Sequence, residues 1–436
     1  MNHSVTLIRD KCKGCTTCIK HCPTEAIRVR RGKAIIVAER CIDCGQCIRV
    51  CPHHAKRAVC DGLDRLSEFD YTVALPAPSL YGQFHNLDDV NIVLAALLDI
   101  GFDAVFEVAR AAEIISDMTR QEMGTPGALP RPVISSACPA SVRLICQRFP
   151  GLMANVLPFM APVELASVLA RREAMNKTGL SPERIGVFFL TPCPAKATAV
   201  RNPIGLAAPV IDGAIALSEL YLHLLPVMKK RPDLPDLATA GLMGLGWAVS
   251  GGESAALLGE SYLAVDGIEN VIQVLEDIED GKLPEVEFLE LSACTQGCVG
   301  GCLTVENPFA AKARMKRLMK FLPVSRNKVG PGDKPLASWG AFLSHTPVFR
   351  LDADMQAALE KQARIEALAA QLPGLDCSSC GAPSCRSLAE DVVLGFASEE
   401  DCIFRMRERV MYLSGDGDAE QFLPPPFRRD PGAGDN

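Results

Sequence analysis

Short apolar runs alternate with longer stretches of helical periodicity between residues 70 and 325. Runs rich in β-branched and aromatic residues are typical of buried strands, and longer amphipathic stretches are typical of helices. The pattern therefore predicts an α/β domain in which parallel sheets are flanked by helices. Four strands are predicted, over residues 72–75, 132–134, 185–190 and 286–291.

An apolar stretch over residues 90–106 is interrupted by Asn91, Asp99 and Asp103. Polar residues at that density do not fit the hydrocarbon core of a bilayer. The stretch therefore predicts a buried helix that runs into a strand, and no membrane partner is expected.

The last part of the chain divides into three stretches. Residues 326–353 are rich in Gly, Pro and Ser, which predicts a linker. Apolar residues recur at helical spacing over 354–372, so an amphipathic helix is predicted whose apolar stripe serves as core or docking surface. Residues 414–436 are rich in Gly, Pro and Asp, and disorder is predicted there.

The composition narrows the choice of protein class. A chain of 436 residues has room for roughly two to four domains. Its net charge is -7 without a dense basic run, which argues against a nucleic-acid partner. There are 19 cysteines, and the opening residues form no apolar leader. We therefore expect a cytoplasmic protein of an anaerobic cell, with cysteines that act as metal ligands.

The N-terminal segment, residues 1–62, contains the pattern Cys-x-x-Cys-x-x-Cys-x-x-x-Cys-Pro twice. Each half supplies three thiolates from one tight loop and a fourth to the other cluster, an arrangement found in bacterial two-cluster ferredoxins. Zinc sites use two pairs instead. The segment resembles those α+β ferredoxins, which implies electron transfer. The predicted ligand sets are Cys12, Cys15, Cys18 and Cys51 for one 4Fe-4S cluster, and Cys22, Cys41, Cys44 and Cys47 for the other.

A second cysteine group, Cys377, Cys380, Cys385 and Cys402, lies in residues 354–410. Its spacing resembles the four-cysteine domain of corrinoid iron-sulfur proteins. We predict a small C-terminal iron-sulfur domain with a third accessory 4Fe-4S cluster, and zinc is the alternative.

Three of the four predicted strands run directly into a cysteine loop. Open α/β sheets bind ligands at the carboxyl ends of their strands, so these loops are expected to converge on a fourth cubane. They are Ser135-Ser136-Ala137-Cys138-Pro139, Thr191-Pro192-Cys193-Pro194-Ala195-Lys196 and Ser292-Ala293-Cys294-Thr295-Gln296-Gly297-Cys298. These loops resemble those of the iron-only (FeFe) hydrogenases, and the resemblance covers roughly residues 1–320, with the catalytic part predicted over 70–325.

The hydrogenase resemblance implies an H-cluster. Cys138, Cys193, Cys294 and Cys298 would bind its cubane, and Cys298 would also bridge to a binuclear iron unit that carries carbonyl, cyanide and a bridging dithiolate. Lys196 would donate to a cyanide ligand, and Ser250 lies in a Gly-Gly stretch near the cluster. The implied activity is reversible hydrogen oxidation and proton reduction, with electrons relayed through the accessory clusters.

The sequence departs from productive hydrogenases along the proton route. Ala137 stands where they have a relay cysteine, Ala199 where they have a relay glutamate, and Thr191 and Ser292 where they have methionines. These losses resemble the branch of the family assigned to hydrogen sensing, which implies low turnover.

A substitute proton path is left open by the sequence. Glu107, Glu113 and Glu122 are candidates, although exposed carboxylates on a helix are the plainer interpretation. Cys302 stands where the family generally has glycine, and it is either a proton-carrying group near the cluster or a packed small residue.

The resemblance also implies partners. These are hydrogen and protons, a ferredoxin or other redox or signalling protein, and hydrogenase maturation proteins; a homo-oligomer is left open. The alternative function is a non-catalytic iron-sulfur protein, in electron transfer or cluster assembly, that lacks the binuclear unit. Lys196 and Cys298 argue against that alternative.

Overall fold

The computed structural model describes residues 3–125, 127, 129–228, 234–330, 332–348 and 351–414. The predicted disordered tail lies outside the described residues from 415 onward. The chain separates into two compact units. The first consists of Met1–Cys12 and Ile36–Val348, and the second consists of Lys13–Ile35 and Phe349–Asn436. The predicted N-terminal segment therefore contributes residues to both units.

Eleven strands are present in the described residues. They are β1 Val5–Leu7, β2 Ile27–Arg30, β3 Lys33–Ile36, β4 Lys56–Ala58, β5 Tyr71–Pro76, β6 Ala104–Val105, β7 Val133–Ile134, β8 Ile185–Thr191, β9 Gly213–Ala216, β10 Tyr262–Asp266 and β11 Phe288–Ser292.

The α-helices of the described residues follow in chain order. They are α1 Thr17–Lys20, α2 Gln46–Arg49, α3 Asn91–Asp99, α4 Val108–Met123, α5 Pro139–Arg148, α6 Pro162–Thr178, α7 Pro194–Arg201, α8 Leu217–Leu224, α9 Leu242–Gly246, α10 Gly252–Ala256, α11 Ile268–Glu279, α12 Pro308–Met319, α13 Asp333–Ala337, α14 Met355–Gln371, α15 Cys385–Val393 and α16 Ile403–Ser414. Short 3-10 helices cover Arg9–Lys11, Ala38–Arg40, Leu63–Glu68, Pro78–Gln83, Pro150–Asn155, Pro182–Arg184, Gly297–Gly300 and Glu399–Asp401.

Two parallel sheets organise the first unit. One has the strand order β6-β5-β8-β9 and the other has the order β10-β11-β7. Every residue of β8 is buried, which is typical of a parallel strand covered by helices on both faces. The four strands predicted from the sequence are confirmed as β5, β7, β8 and β11. The predicted passage from a buried helix to a strand is confirmed as α3 and β6.

The core of the first unit lies against the faces of these sheets. On the larger sheet, Leu75 and Phe189 pack with Ile115 of α4 and Leu165 of α6. A second cluster of buried side chains covers the smaller sheet and includes Ile145, Val271 and Leu289. At roughly 1.5–3 kcal/mol for each large side chain that is fully buried, these clusters account for much of the stabilisation of the unit.

Most of the described part of the predicted linker, residues 326–330 and 332–348, belongs to the first unit, and residues 351–353 belong to the second. The backbone amides of Arg326 and Asn327 donate to the Glu113 carboxylate. The Met160 amide donates to the Ala337 carbonyl, and the Trp339 amide donates to the Pro158 carbonyl. Backbone hydrogen bonds thus connect residues 326–330 and 332–348 to the rest of the first unit.

The second unit combines the two-stranded sheet β2-β3 with the C-terminal helices. Its core contains Ile365 and Leu368 of α14, Leu388 of α15, and Cys402. The helix predicted over 354–372 is confirmed as α14, and the Asp354 side chain caps it by accepting from the Ala357 amide. All described helices of the chain are too short or too polar to span a bilayer.

Candidate metal centre

The first two central cysteines lie at turns that lead from a strand into a helix. Cys138 follows β7 and is the N-cap residue of α5, and Cys193 follows β8 and is the N-cap residue of α7. Pro139 and Pro194 occupy the first helical position, where their fixed φ angle favours helix initiation. The partial positive charge at a helix N-terminus makes both positions favourable for an anionic bound group.

The third loop, after β11, makes a tight turn that brings Cys294 and Cys298 to the same place. Gly297 has a φ of +81°, and a Cβ atom on it would lie 2.5 Å from the Ser250 amide nitrogen. A Cβ atom on Gly301 would lie 2.2 Å from the Pro192 carbonyl oxygen. Glycine at these positions lets the third loop approach the second loop and the Ser250 backbone closely.

All four central cysteines line one cavity of about 80 Å³. Protein interiors are close-packed and have few voids larger than a water molecule, so this cavity leaves room for a bound group. Lys196, Ala137 and Ser292 also line it.

The four cysteines of the cavity suit a multi-iron cluster. A 4Fe-4S cluster takes four thiolates, each bound to a different iron, and the four cysteines around this cavity match that number.

Lys196 is the cation of this cavity. Its Nζ atom lies 3.4 Å from the Cys298 Sγ atom. Burial lowers the pKa of Lys196, but the thiolates of Cys298, Cys193 and Cys138 outweigh burial and raise that pKa above its ordinary value. The ammonium is thus held charged next to Cys298.

The thiols themselves are strongly affected by burial. Burial raises the pKa of Cys193 well above its ordinary value and raises the pKa of Cys294 to about 12. Cluster ligands must be deprotonated, so cluster binding at this site releases protons.

Three other predicted positions, Ser250, Ala199 and Thr191, do not line the cavity. The Ser250 amide donates to the Gln296 carbonyl at 3.1 Å, so Ser250 supports the third loop without lining the cavity. Ala199 lies on α7 and does not line the cavity either. The Thr191 hydroxyl donates to the Cys193 carbonyl at 3.0 Å and stabilises the second loop.

Ser79 is a cavity residue that sequence reasoning missed. Its side chain is fully buried and lines the cavity, and its hydroxyl has no hydrogen-bond partner among the described residues. Leaving a buried hydroxyl without a partner costs about 1–3 kcal/mol, so this oxygen marks a place for a polar atom of the bound group. The available signal was a polar residue placed just after the buried strand β5.

A pair of buried carboxylates, Glu253 and Glu290, was also missed. Both side chains line the cavity, and each residue is only 5% exposed. The Ser135 hydroxyl donates to Glu253 Oε2 at 2.6 Å. Glu290 accepts hydrogen bonds from the Gly251 and Ser254 amides at 2.9 and 2.8 Å.

The two carboxyl groups perturb each other. Burial, together with the charge of Glu290, raises the pKa of Glu253 to about 8. Burial also raises the pKa of Glu290, although its two amide donors oppose the shift. A carboxyl with the raised pKa of Glu253 holds a proton at neutral pH and can exchange it.

The three glutamates proposed from the sequence as a substitute path are not part of the cavity wall. Glu107 and Glu113 are 2% and 1% exposed, so their interpretation as exposed helix carboxylates was wrong. Glu107 accepts from the Tyr81 hydroxyl and from the Thr239 and Ala240 amides. Glu113 likewise accepts backbone amides, including that of Gly241, and Glu122 pairs with Lys334.

Cys302 is a packed residue that also lies outside the cavity wall. A Cβ atom on Gly45 would lie 2.3 Å from the Cys302 Sγ atom, so the thiol fills the space that this glycine leaves. Burial raises the pKa of the Cys302 thiol well above its ordinary value. Close by, the Arg49 guanidinium donates to the Gly300 carbonyl at 2.6 Å. The second ferredoxin-type loop therefore contacts the turn that follows Cys298.

The remaining cysteine groups have features that are typical of iron-sulfur sites: backbone amides directed at sulfur atoms, and four cysteines around one cavity. The Ala26 amide lies 3.2 Å from Cys22 Sγ, and the equivalent Ala55 amide lies 3.3 Å from Cys51 Sγ. In the second unit, Cys377, Cys380, Cys385 and Cys402 line one small cavity. The individual ligand sets remain predictions.

Comparison with known protein families agrees with this set of sites. The family model described as the iron-only hydrogenase large subunit, C-terminal domain, matches residues 70–226 and 252–302. A 4Fe-4S dicluster domain matches residues 4–52, and a putative Fe-S cluster domain matches residues 372–404.

Individual relatives are distant. Iron hydrogenase 1 of Clostridium pasteurianum is 24% identical over 269 residues, which are 51% of this chain and 46% of that protein. The chain thus spans about half the length of this curated relative. A structure of an FeFe-hydrogenase studied for oxygen inactivation has a TM-score of 0.49 at 13% identity, over 64% of this chain and 95% of that one. A variant of the Chlamydomonas reinhardtii FeFe-hydrogenase has a TM-score of 0.43 at 15% identity, over 56% of this chain and 83% of that one.

The parallel sheets, the cysteine loops and the dicluster segment define an iron-sulfur protein with the hydrogenase large-subunit fold. The chain belongs to the iron-only hydrogenase family.

Proposed function

We propose that this protein is an FeFe-hydrogenase of low turnover that serves in hydrogen sensing. It would carry one H-cluster and three accessory 4Fe-4S clusters. The observation that carries the proposal is a single cavity that brings together four thiolates, the Lys196 ammonium and the unpartnered Ser79 hydroxyl. A 4Fe-4S cubane alone would need only the four thiolates, so the Lys196 ammonium and the Ser79 hydroxyl favour a larger group with polar ligands.

The residues of the cavity fit an H-cluster. The cubane would be held by Cys138, Cys193, Cys294 and Cys298, with Cys298 as the bridging ligand. When bound, the binuclear iron unit would supply the centre at which H2 is converted to two protons and two electrons, or is formed from them. Lys196 and Ser79 would donate hydrogen bonds to its polar ligands, and the apolar wall would exclude water.

Glu253 and Glu290 provide a proton route where the usual one is interrupted. With a pKa of about 8, Glu253 can take a proton from the cavity and release it at neutral pH. The Ser135 hydroxyl holds the Glu253 carboxyl in place. Glu290 lies on β11 beside β10, and the charge of the half-buried Asp266 of β10 adds to the raised pKa of Glu290.

We expect low turnover because Ala137 supplies no proton-carrying group to the cavity wall. A methyl group cannot carry a proton, so the cavity lacks the nearby thiol of productive relatives. A proton must therefore reach the Glu253 carboxyl directly. A slow reaction that still responds to hydrogen suits a sensor better than an enzyme of bulk metabolism. The electrons would pass to a separate redox or signalling protein.

The proposal is tested by anaerobic reconstitution with iron and sulfide, followed by maturation with a synthetic binuclear iron complex. Hydrogen evolution from a reduced dye and hydrogen–deuterium exchange are then followed by gas analysis. Slow activity that depends on the complex and is absent in Cys298→Ala is expected. A fully loaded protein with neither activity would instead favour the non-catalytic electron-transfer or assembly function.

A further inference from the structure

In the second unit, strand β2 lies against the cysteine loop of the C-terminal cluster. We propose that the C-terminal cluster exchanges electrons directly with the ferredoxin-type cluster that is bound through Cys15 and Cys18, across the β2-β3 hairpin. This inference rests on the cluster set of the proposed function. It names the ferredoxin-type cluster of Cys15 and Cys18 as the electron-transfer partner of the C-terminal cluster.

The backbones of the two segments approach very closely. The Val29 amide of β2 donates to the Gly381 carbonyl at 2.8 Å. Gly381 has a φ of +82°, and a Cβ atom on it would lie 2.1 Å from the Val29 carbonyl oxygen. Only glycine lets the loop between Cys380 and Cys385 contact the strand in this way.

Buried charges fix this contact. Asp391 of α15 accepts from Arg28 Nε at 2.7 Å and from an Arg30 guanidinium nitrogen at 2.5 Å. The Asp391 side chain is 11% exposed and that of Arg28 is 7% exposed. The Ser387 hydroxyl also donates to the Glu25 carboxylate at 2.5 Å. These buried, charge-assisted hydrogen bonds keep α15 and β2 in one relative position. Separating the partners would leave a buried charge without a counter-charge, which is energetically costly.

Arg30 connects this contact to a predicted cluster ligand. Its guanidinium donates to the Cys380 carbonyl at 3.2 Å and to Asp391 at the same time. A cation fixed beside the ligand loop stabilises added negative charge and so favours the reduced cluster.

The other end of the hairpin contacts the first cysteine loop. A Cβ atom on Gly14, which lies between Cys12 and Cys15, would be 2.7 Å from the Gly32 carbonyl oxygen in the hairpin turn. Gly32 lies two positions after Arg30, a separation of at most about 7 Å along the chain. The hairpin thus touches both cysteine loops within a short span. Electron tunnelling falls off steeply with distance, and this arrangement keeps the distance small.

The transferred species is one electron. It leaves the reduced cluster of the C-terminal group and reduces the cluster of Cys15 and Cys18, or moves in the reverse direction. No bond is broken and no proton is required. The relative reduction potentials set the direction.

The test is electron paramagnetic resonance of the full chain, loaded with iron and sulfide and reduced with dithionite. Two neighbouring reduced clusters split and broaden each other's signals. The comparison is with a variant that combines Cys385→Ala and Cys402→Ala, in which the C-terminal cluster is removed. The expected result is a loss of about four irons together with a loss of splitting in the remaining ferredoxin-type signals.

A second variant tests the contact itself. Asp391→Asn removes the charge that holds Arg28 and Arg30, and the splitting should decrease while the iron content stays constant. Glu366→Gln, on the exposed face of α14, is the matched control and should leave the spectrum unchanged. If Asp391→Asn fails to fold, the cluster-deletion comparison still decides the question.

The outcomes separate this inference from the proposed function. A loss of about four irons with strictly additive spectra would overturn the inference alone. An unchanged iron content in the double variant would overturn the C-terminal cluster itself, and the inference with it.

Discussion

The Ser135 hydroxyl donates to Glu253 at 2.6 Å and accepts a hydrogen bond from the Ala137 amide at 3.2 Å. A backbone position that carries a thiol in productive relatives is thereby linked through one serine to a buried carboxyl. Glu253 lines the cavity, so these two hydrogen bonds connect position 137 to a titratable group of the cavity wall.

Replacing Glu253 by Gln should slow hydrogen turnover roughly 100-fold, because proton transfer by a positioned acid or base contributes at least that much. The amide still accepts from Ser135, so the fold and the bound cofactor should be unaffected. The measurement is hydrogen evolution alongside the infrared spectrum of the loaded protein.

The matched control for this change is Glu260→Gln, an exposed carboxylate on the same segment. It should leave turnover unchanged. Equal rates for Glu253→Gln and the unaltered protein would remove Glu253 from the proton route.

The same carboxyl predicts a pH dependence of stability. Its pKa of about 8 in the folded protein lies above the ordinary value of 4.5. The folded state therefore binds the proton more tightly, and the free energy of unfolding falls as pH rises from about 4.5 to about 8.

Glu253→Gln should remove this part of the fall. Thermal unfolding at pH 6 and pH 9 measures it: the drop in midpoint between the two pH values should be smaller in the variant than in the unaltered protein. An identical drop in both would mean that Glu253 ionises as freely in the folded state as in the unfolded state.

Lys196→Met should weaken retention of the binuclear unit while leaving the cubane in place. A hydrogen bond from a charged donor contributes about 1.5–3 kcal/mol, which corresponds to roughly 10- to 100-fold in retention. Lys196→Arg should recover only part of the effect, since the planar guanidinium differs in shape from a compact ammonium. Iron analysis before and after maturation measures both quantities.

The informative control is Lys282→Met, because Lys282 is exposed and pairs only with surface carboxylates. It should behave as the unaltered protein. Full retention of the binuclear unit in Lys196→Met would show that the ammonium plays no part in holding it.

The sequence predicted the cysteine loops well because strand ends meet at one edge of a sheet. Cys138, Cys193 and Cys294 each follow a short apolar run, and this local pattern is enough to place them. Glu253 and Glu290 carry no such pattern. One begins a short helix and the other lies within a strand, and only the tertiary fold brings them to one cavity.

The burial of Glu107 and Glu113 could not be read from the sequence for a related reason. Their helix is amphipathic, and its polar positions would normally face solvent. Here segments that include 239–241 and 326–327 cover those positions, and their backbone amides replace water as hydrogen-bond donors.

Ala137→Cys alone should not restore fast turnover. It would return a thiol to the cavity wall, but Ala199 still interrupts the route used by productive relatives. Hydrogen evolution by the matured variant should remain close to that of the unaltered protein. Fast turnover from this single change would show that the residue at 137 alone limits the rate.

The central claim is that one cavity holds a cubane whose fourth thiolate, from Cys298, also binds an iron pair with diatomic ligands. Infrared spectroscopy after anaerobic maturation with a synthetic binuclear iron complex tests it most directly. The account predicts carbonyl and cyanide bands that appear only with the complex and are lost in Cys298→Ala, while the iron of the accessory clusters remains. A fully cubane-loaded protein without these bands, or bands that persist in Cys298→Ala, would contradict it.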